Sequence, residues 1–322
     1  METEPGKIMC AIDFADFTDS IISYSLMLCR KFHAKLFLVH VLIDTETLLH
    51  INNTSRNGDM ENARKRIQKL LNDTNVEHEI IITRGDSADE IQRLAMEYKA
   101  EMVIIATRGN SGIKGFLTGS VTEKLMKTLH CPLLVLHTKK HDFISQAIEI
   151  NINKVLVGCD FSHDSKLAFN YGLGMVRKFK ADLYLAHVIK PTEYVELRAS
   201  DYIDVKPADY VNWRSLDYFK MQEKITENTY KRIHDLRDQL QRQLYFMVPQ
   251  ECRNWCTPQT TLLDGEPYKE LIDYARTQDM DMIVLGIRGH SLWEKLTVGS
   301  TTDRVIRQSP CPVLAVRQMG SP

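Results

Sequence analysis

Residues 282–316 read MIVLGIRGHSLWEKLTVGSTTDRVIRQSPCPVLAV. The apolar run MIVL ends at Gly286, a loop carrying Gly289 runs on to Gly299-Ser300, a helix-like segment follows, and the apolar run VLAV closes the stretch. Strand, glycine loop, helix and strand in this order describe one unit of a parallel sheet whose crossovers are helices.

The unit occurs twice. GDSADEIQRLAMEYKAEMVIIATRG (85–109) matches GEPYKELIDYARTQDMDMIVLGIRG (265–289) at an offset of 180, which holds through Gly119/Gly299, Ser120/Ser300 and CPLLVL/CPVLAV. Upstream, KIMCAIDF (7–14) matches KVLVGCDF (154–161) at an offset of 147, carrying Phe32 onto Phe179, Ala34 onto Ala181, His40 onto His187 and Val41 onto Val188. The second copy therefore holds 33 additional residues between these blocks. A repeat of this length makes the architecture a duplication.

Within each copy strand and helix signals alternate. In the first, KIMCAID, AKLFLVHVL, EHEIIIT, EMVIIA and PLLVLH read as strands, and SIISYSLMLCRKF, MENARKRIQKLLND, SADEIQRLAMEYK and VTEKLMKTL as the helices between them. In the second copy Leu167, Tyr171, Met175 and Phe179 recur every four residues on one helical face, with Asp164 or Ser162 available as the cap. Apolar strands separated by amphipathic helices imply a parallel sheet covered on both faces, and right-handed crossovers give two tandem, open, doubly wound α/β domains. The expected boundaries are 1–140 for the first, 141–152 for a linker and 153–322 for the second, with a helical insert at about 195–258. Ile225, Ile233, Leu236, Leu240 and Leu244 fall on one stripe, which predicts a long insert helix over 213–246, packed by that stripe on its own sheet.

Composition narrows the function. The 322 residues carry 41 Lys and Arg against 42 Asp and Glu, a net charge of −1, so no global field draws nucleic acid or an anionic membrane. The apolar runs are strand-length and METEPGKIM lacks the apolar core of a signal peptide, so a cytoplasmic protein without membrane or nucleic-acid partners is expected. Seven scattered cysteines fit buried reduced thiols better than a disulfide framework.

The glycine loop carries the chemistry. In open α/β sheets ligands bind beyond the carboxyl ends of the strands, where the strand order reverses. Gly286 sits at such an end, Gly289 suits a turn, and Ser300 reads as an N-cap; the first copy has the capping-box pattern Ser120-Val121-Thr122-Glu123. Loop N–H groups beside a helix N-terminus favour an anion such as a phosphate, while a purely structural turn is the competing reading. GxxxxGK[ST] and a complete dinucleotide fingerprint are both missing.

The pattern Gly286-x-x-Gly289, nine residues, Gly299-Ser300, after an apolar strand and before a helix ending in CPV, resembles the ATP-binding signature of the universal stress protein family. KVLVGCDFS and LAHV match further landmarks, so the resemblance covers both halves of a tandem protein, apart from the insert. It implies a five-stranded parallel sheet in the order 3-2-1-4-5 in each half, and a nucleotide-responsive stress regulator binding ATP, with or without Mg. Carried over by position, Gly158, Cys159 and Asp160 would meet the nucleoside and Val188 the adenine. Leu285, Gly286, Arg288, Gly289, Gly299, Ser300 and Thr301 would complete the site around the phosphates. The first half keeps Asp13, Val41, Arg108, Gly109, Gly119 and Ser120 but has Ala106 where the second has Gly286, which implies a weaker or absent site. Alanine there would matter if the position needs positive φ or if a ligand touches its backbone. Family members pair through their final strands, so the resemblance also implies an internal pseudo-dimer of the halves and allows a homodimer.

No catalytic residue or metal site is assigned. Arg288, Lys295 and His290 could meet phosphates and support slow ATP hydrolysis, but no base for water is apparent. His40 and His187 read as strand histidines and Cys131 and Cys311 as packing; Cys252 and Cys256, with His234 upstream, lack a second ligand pair. The alternative from another class is a protein-interaction module using the insert helix and the final strands.

Overall fold

The computed structural model describes residues 4–14, 18–42, 53–71, 74–107, 120–137, 150–194, 215–288 and 299–317, with the side chains of 53–57 and 215–226 left aside. The expected linker thus lies almost wholly outside the described residues. The strands are β1 (Lys7–Ile12), β2 (Lys35–Leu42), β3 (His78–Arg84), β4 (Met102–Thr107), β5 (Leu133–His137), β6 (Lys154–Gly158), β7 (Asp182–Ile189), β8 (Gln259–Asp264), β9 (Met282–Gly286) and β10 (Val313–Val316). They form one sheet in the order β3-β2-β1-β4-β5-β10-β9-β6-β7-β8. Each half has the 3-2-1-4-5 order with parallel neighbours, and β5 meets β10 antiparallel, Leu134 opposite Leu314.

The strands are apolar on both faces because helices cover both. Along β5, Leu134 and Leu136 join one core while Leu133 and Val135 join the other, and along β10 Leu314 and Val316 alternate with Val313 and Ala315 in the same way. Each core therefore runs through the β5–β10 seam from one half into the other. Beside the seam the helices Thr18–Phe32 and His163–Phe179 meet. The Phe32 and Phe179 rings are 6.2 Å apart, Lys31 lies over Phe179 at 5.6 Å, and Lys178 over Phe32 at 5.7 Å. These reciprocal contacts join residues related by the repeat offset, as a two-fold related pair would. With β5 and β10 both interior to the sheet, neither final strand offers an open edge, which removes that part of the interaction-module alternative.

Two helices differ from the sequence reading. The first-half helix spans Asn53–Leu71 rather than 60–73, because its opening residues NTSRNGD carry no apolar periodicity to announce it. The insert helix spans Ser215–Met247, and Leu240, Leu244 and the following Val248 are buried against β7 and β8. Gln241 donates to the Thr260 hydroxyl at 2.8 Å, fixing the same face on β8.

Candidate functional site

β6 and β9 lie side by side and parallel, so the residues beyond their carboxyl ends flank one crevice. The chain leaving β6 is pinned first: Cys159 N–H donates to Ala186 O at 2.8 Å, and Ser162 N–H to the Asp160 carboxylate at 3.0 Å. Phe161 between them has φ 63, a left-handed turn shared with Phe14 at φ 57 in the first half. Of the two candidate caps it is Ser162 that caps His163–Phe179, its hydroxyl accepting from Ser165 N–H at 3.2 Å. Asp164 does something else: its carboxylate accepts from Arg288 N–H at 3.2 Å, while the Ser162 hydroxyl donates to Arg288 O at 3.3 Å. The backbone of Arg288 is thus clamped to the first turn of that helix, a link that sequence spacing did not suggest.

That clamp requires Gly286. A Cβ there would stand 2.7 Å from Asp164 C and 2.7 Å from Ser165 N, closer than real Cβ atoms approach backbone. Its φ is not positive, so the glycine is needed for the approach of the helix to the strand end, and the positive-φ rationale is replaced by close packing. Past the loop, Gly299 N–H donates to Ile287 O at 2.8 Å and the Thr302 hydroxyl to Gly286 O at 2.7 Å, fastening the helix Ser300–Gln308 to the end of β9.

The expected caps are corrected here. Gly299, not Ser300, is the N-cap, and among the described residues no side chain caps that helix, so none of them satisfies its first N–H groups in that way. In the first half Ser120 is already helical and Glu123 turns to Lys127 at 2.7 Å instead of reaching back.

These elements enclose a cleft of about 470 Å³, a size usual for small-molecule sites. Gly158, Cys159, Asp160 and Val188 line its β6–β7 side; Leu285, Gly286 and Arg288 its β9 side; Gly299, Ser300 and Thr301 its helix end. Gly289, His290 and Lys295 lie outside the described residues. In the first half Asp13 follows β1, Val41 lies in β2 and Ser120 starts its helix, while Arg108, Gly109 and Gly119 lie outside the described residues.

Several residues of the cleft were not singled out as ligands. His187 donates Nδ1–H to Cys159 O at 2.7 Å, and its Nε2 is buried with no protein partner among the described residues. The Phe161 ring packs on it at 4.9 Å. Cys159 is a weak nucleophile, since burial pushes its pKa up to about 11. Arg317 donates to Lys127 O of the first half at 2.6 Å, and burial, then the charge of Arg288, lower its pKa. Cys252 and Cys256 are unpaired thiols, and His234 faces Asp238 at 3.2 Å. Leu240, Pro267 and Leu271 add an apolar wall.

The model of the universal stress protein family matches residues 5–137 and again 151–317. The chain belongs to the universal stress protein family. Similar family members include universal stress protein MJ0531 of Methanocaldococcus jannaschii, 24% identical over 51% of this chain and 82% of that protein. A Bacillus subtilis member, YxiE, is 37% identical over 18% of this chain and 40% of its own. A universal stress protein from Archaeoglobus fulgidus superposes on 97% of this chain and 96% of its own with a TM-score of 0.64 at 19% identity, a likeness of fold. The duplication read from the sequence is thus a tandem of two family domains.

Proposed function

We propose that this tandem universal stress protein binds ATP, with or without Mg, in the second-half cleft and acts as a cytoplasmic, nucleotide-responsive regulator, with at most slow hydrolysis. The observation that carries the reading is the helix N-terminus at Gly299-Ser300-Thr301, which lines the cleft together with Arg288 and has no side-chain cap among the described residues. Unpaired N–H groups, the positive end of the helix dipole and a guanidinium favour a polyanion there. On the other side Val188, Leu271 and Leu240 offer an apolar slot for a base, and Asp160 stands at the end of β6 between the two. The paired β5 and β10 support reading the chain as its own pseudo-dimer; further association into a homodimer would have to use other surfaces.

The test is calorimetric titration of the full chain with ATP, alongside mass spectrometry of nucleotide released on denaturation. Saturable one-to-one binding, weakened about tenfold or more by Arg288→Ala together with Ser300→Pro, is expected. No binding and no co-purified nucleotide would overturn the reading and leave the insert's outer face, where Phe246 is 76% and Trp255 44% exposed, as the better functional surface.

A further inference from the structure

The second half differs from the first most in its insert, and the insert reaches the cleft. Leu240 is buried and lines it together with Val188, Pro267 and Leu271. The helix is locked at that height by one cluster. Arg237 Nη1 donates to both oxygens of Asp264, at 2.6 and 2.8 Å, and to the Tyr194 hydroxyl at 2.9 Å, and Tyr194 donates to the same carboxylate. Asp264 ends β8, and Tyr194 follows β7 by one short turn, so the lock ties the helix to both strands, of which β7 lines the cleft through Val188. A charged pair less than half exposed, sharing a third polar partner, holds position better than an isolated surface pair.

The first half shows the same device in another form. Its helix buries Ala63, Ile67 and Leu71 at the four-residue spacing at which the insert buries Leu240, Leu244 and Val248. Its strand-end charge is reversed: Arg84, the repeat counterpart of Asp264, faces Asp59 on the helix at 3.7 Å. The first member of this three-residue stripe is a methyl, at Ala63, in the first-half helix and the isobutyl group of Leu240 in the insert.

We propose that the insert helix is a wall of the second-half cleft, with Leu240 the residue that sets the fit of the nucleotide base and the Arg237–Asp264–Tyr194 cluster the positioning element that holds it. This rests on the ATP reading of the cleft. Leu240 contributes apolar contact to a flat ring, and a base that is gripped on its face needs few polar partners from side chains. The lock acts through Leu240, so removing either should weaken the same contact.

Titration of the full-length protein with ATP tests this. Leu240→Ala should weaken binding about three- to tenfold and Leu240→Met should change it little. Arg237→Met should weaken it less, and the pair Arg237→Asp with Asp264→Arg, which adopts the first half's charge order, should recover part of the loss. The double variant L240A/R237M should be no weaker than L240A alone, because the lock has nothing left to position. Phe246→Ser, on the solvent side of the same helix, should leave affinity unchanged. ATP binding by the parent protein with no response to Leu240→Ala overturns the wall alone; Arg237→Met lowering the melting temperature but not the affinity overturns the positioning role. Absence of ATP binding in the parent overturns this proposal and the nucleotide reading together.

Discussion

The fourth strands of the two halves, β4 and β9, end differently, and the difference explains more than a motif match. β9 ends in Gly286, against which the first turn of His163–Phe179 closes to backbone contact; its counterpart on β4 is Ala106, and the first-half residues that match Ser162–Asp164 lie outside the described ones. The glycine is thus a packing residue before it is a ligand residue. By letting the helix approach, it brings the Asp164 carboxylate to Arg288 N–H and so fixes the Arg288 side of the cleft. A methyl at Gly286 itself would stand 2.7 Å from the backbone of Asp164 and Ser165. The same halves agree elsewhere: both have a left-handed phenylalanine after the first strand, and both bond the strand histidine to the carbonyl region beyond it, His40 to Ile12 O at 2.9 Å and His187 to Cys159 O at 2.7 Å.

The largest expected effect is one the halves share. Burial pushes the thiols of Cys10, Cys29, Cys131 and Cys311 up to about 12 from an ordinary value of 9.0. A thiol whose folded pKa lies above its unfolded one stabilises the fold while protonated, so the contribution is complete below pH 9 and is lost as the pH climbs toward 12. Urea unfolding under reducing conditions should give a constant stability from these groups up to about pH 8 and a steep fall above pH 9. Cys131→Ala and Cys311→Ala occupy matched positions and should flatten that fall equally; unequal effects would show that the halves differ at their last strands too.

Gly286→Ala comes next. The added methyl meets the backbone of Asp164 and Ser165, and forcing it in should cost about 1–3 kcal/mol of stability. ATP affinity should fall with it, because the helix and Arg288 move apart. Binding lost with stability intact would instead mean that the ligand, rather than the helix, needs the space. Thr302→Val removes the 2.7 Å bond to Gly286 O and should cost about 1 kcal/mol with a few-fold loss of ATP affinity. The equally buried Thr122→Val in the first half should leave ATP affinity unchanged; a loss there would place nucleotide in the first half as well.

Much of this was legible in the sequence because it is periodic or repeated. Alternating apolar runs and a constant offset define strands, helices and duplication without reference to contacts, and the signature spacing brought Asp160, Gly286, Arg288 and Gly299 to one cleft. What stayed hidden depends on distances between segments far apart in the chain. Asp164 looks like a helix cap until the fold places it beside Arg288, and Ser162 then proves the cap. Leu240 looks like any core residue of an amphipathic helix until β7 and β8 set it against the cleft. Ser300 has the right residue type for a cap, but Gly299 reaches the N-cap geometry first.

The smallest expected effect separates necessity from sufficiency. Ala106→Gly gives the first half the residue that the second-half cleft requires, yet one missing methyl does not rebuild a cleft. Ala63 opens the buried stripe of the first-half helix where the larger Leu240 opens that of the insert, and the Arg66 guanidinium lies over the Phe14 ring at 4.4 Å, a stack with no counterpart on Phe161 among the described residues. The substitution should therefore cost about 0.5–1 kcal/mol through the greater freedom of the unfolded chain and add no second equivalent of bound ATP. Calorimetry reads both the stoichiometry and the affinity. A second site appearing with Ala106→Gly alone would make that methyl the whole difference between the halves, and would demote Leu240 to a consequence of it.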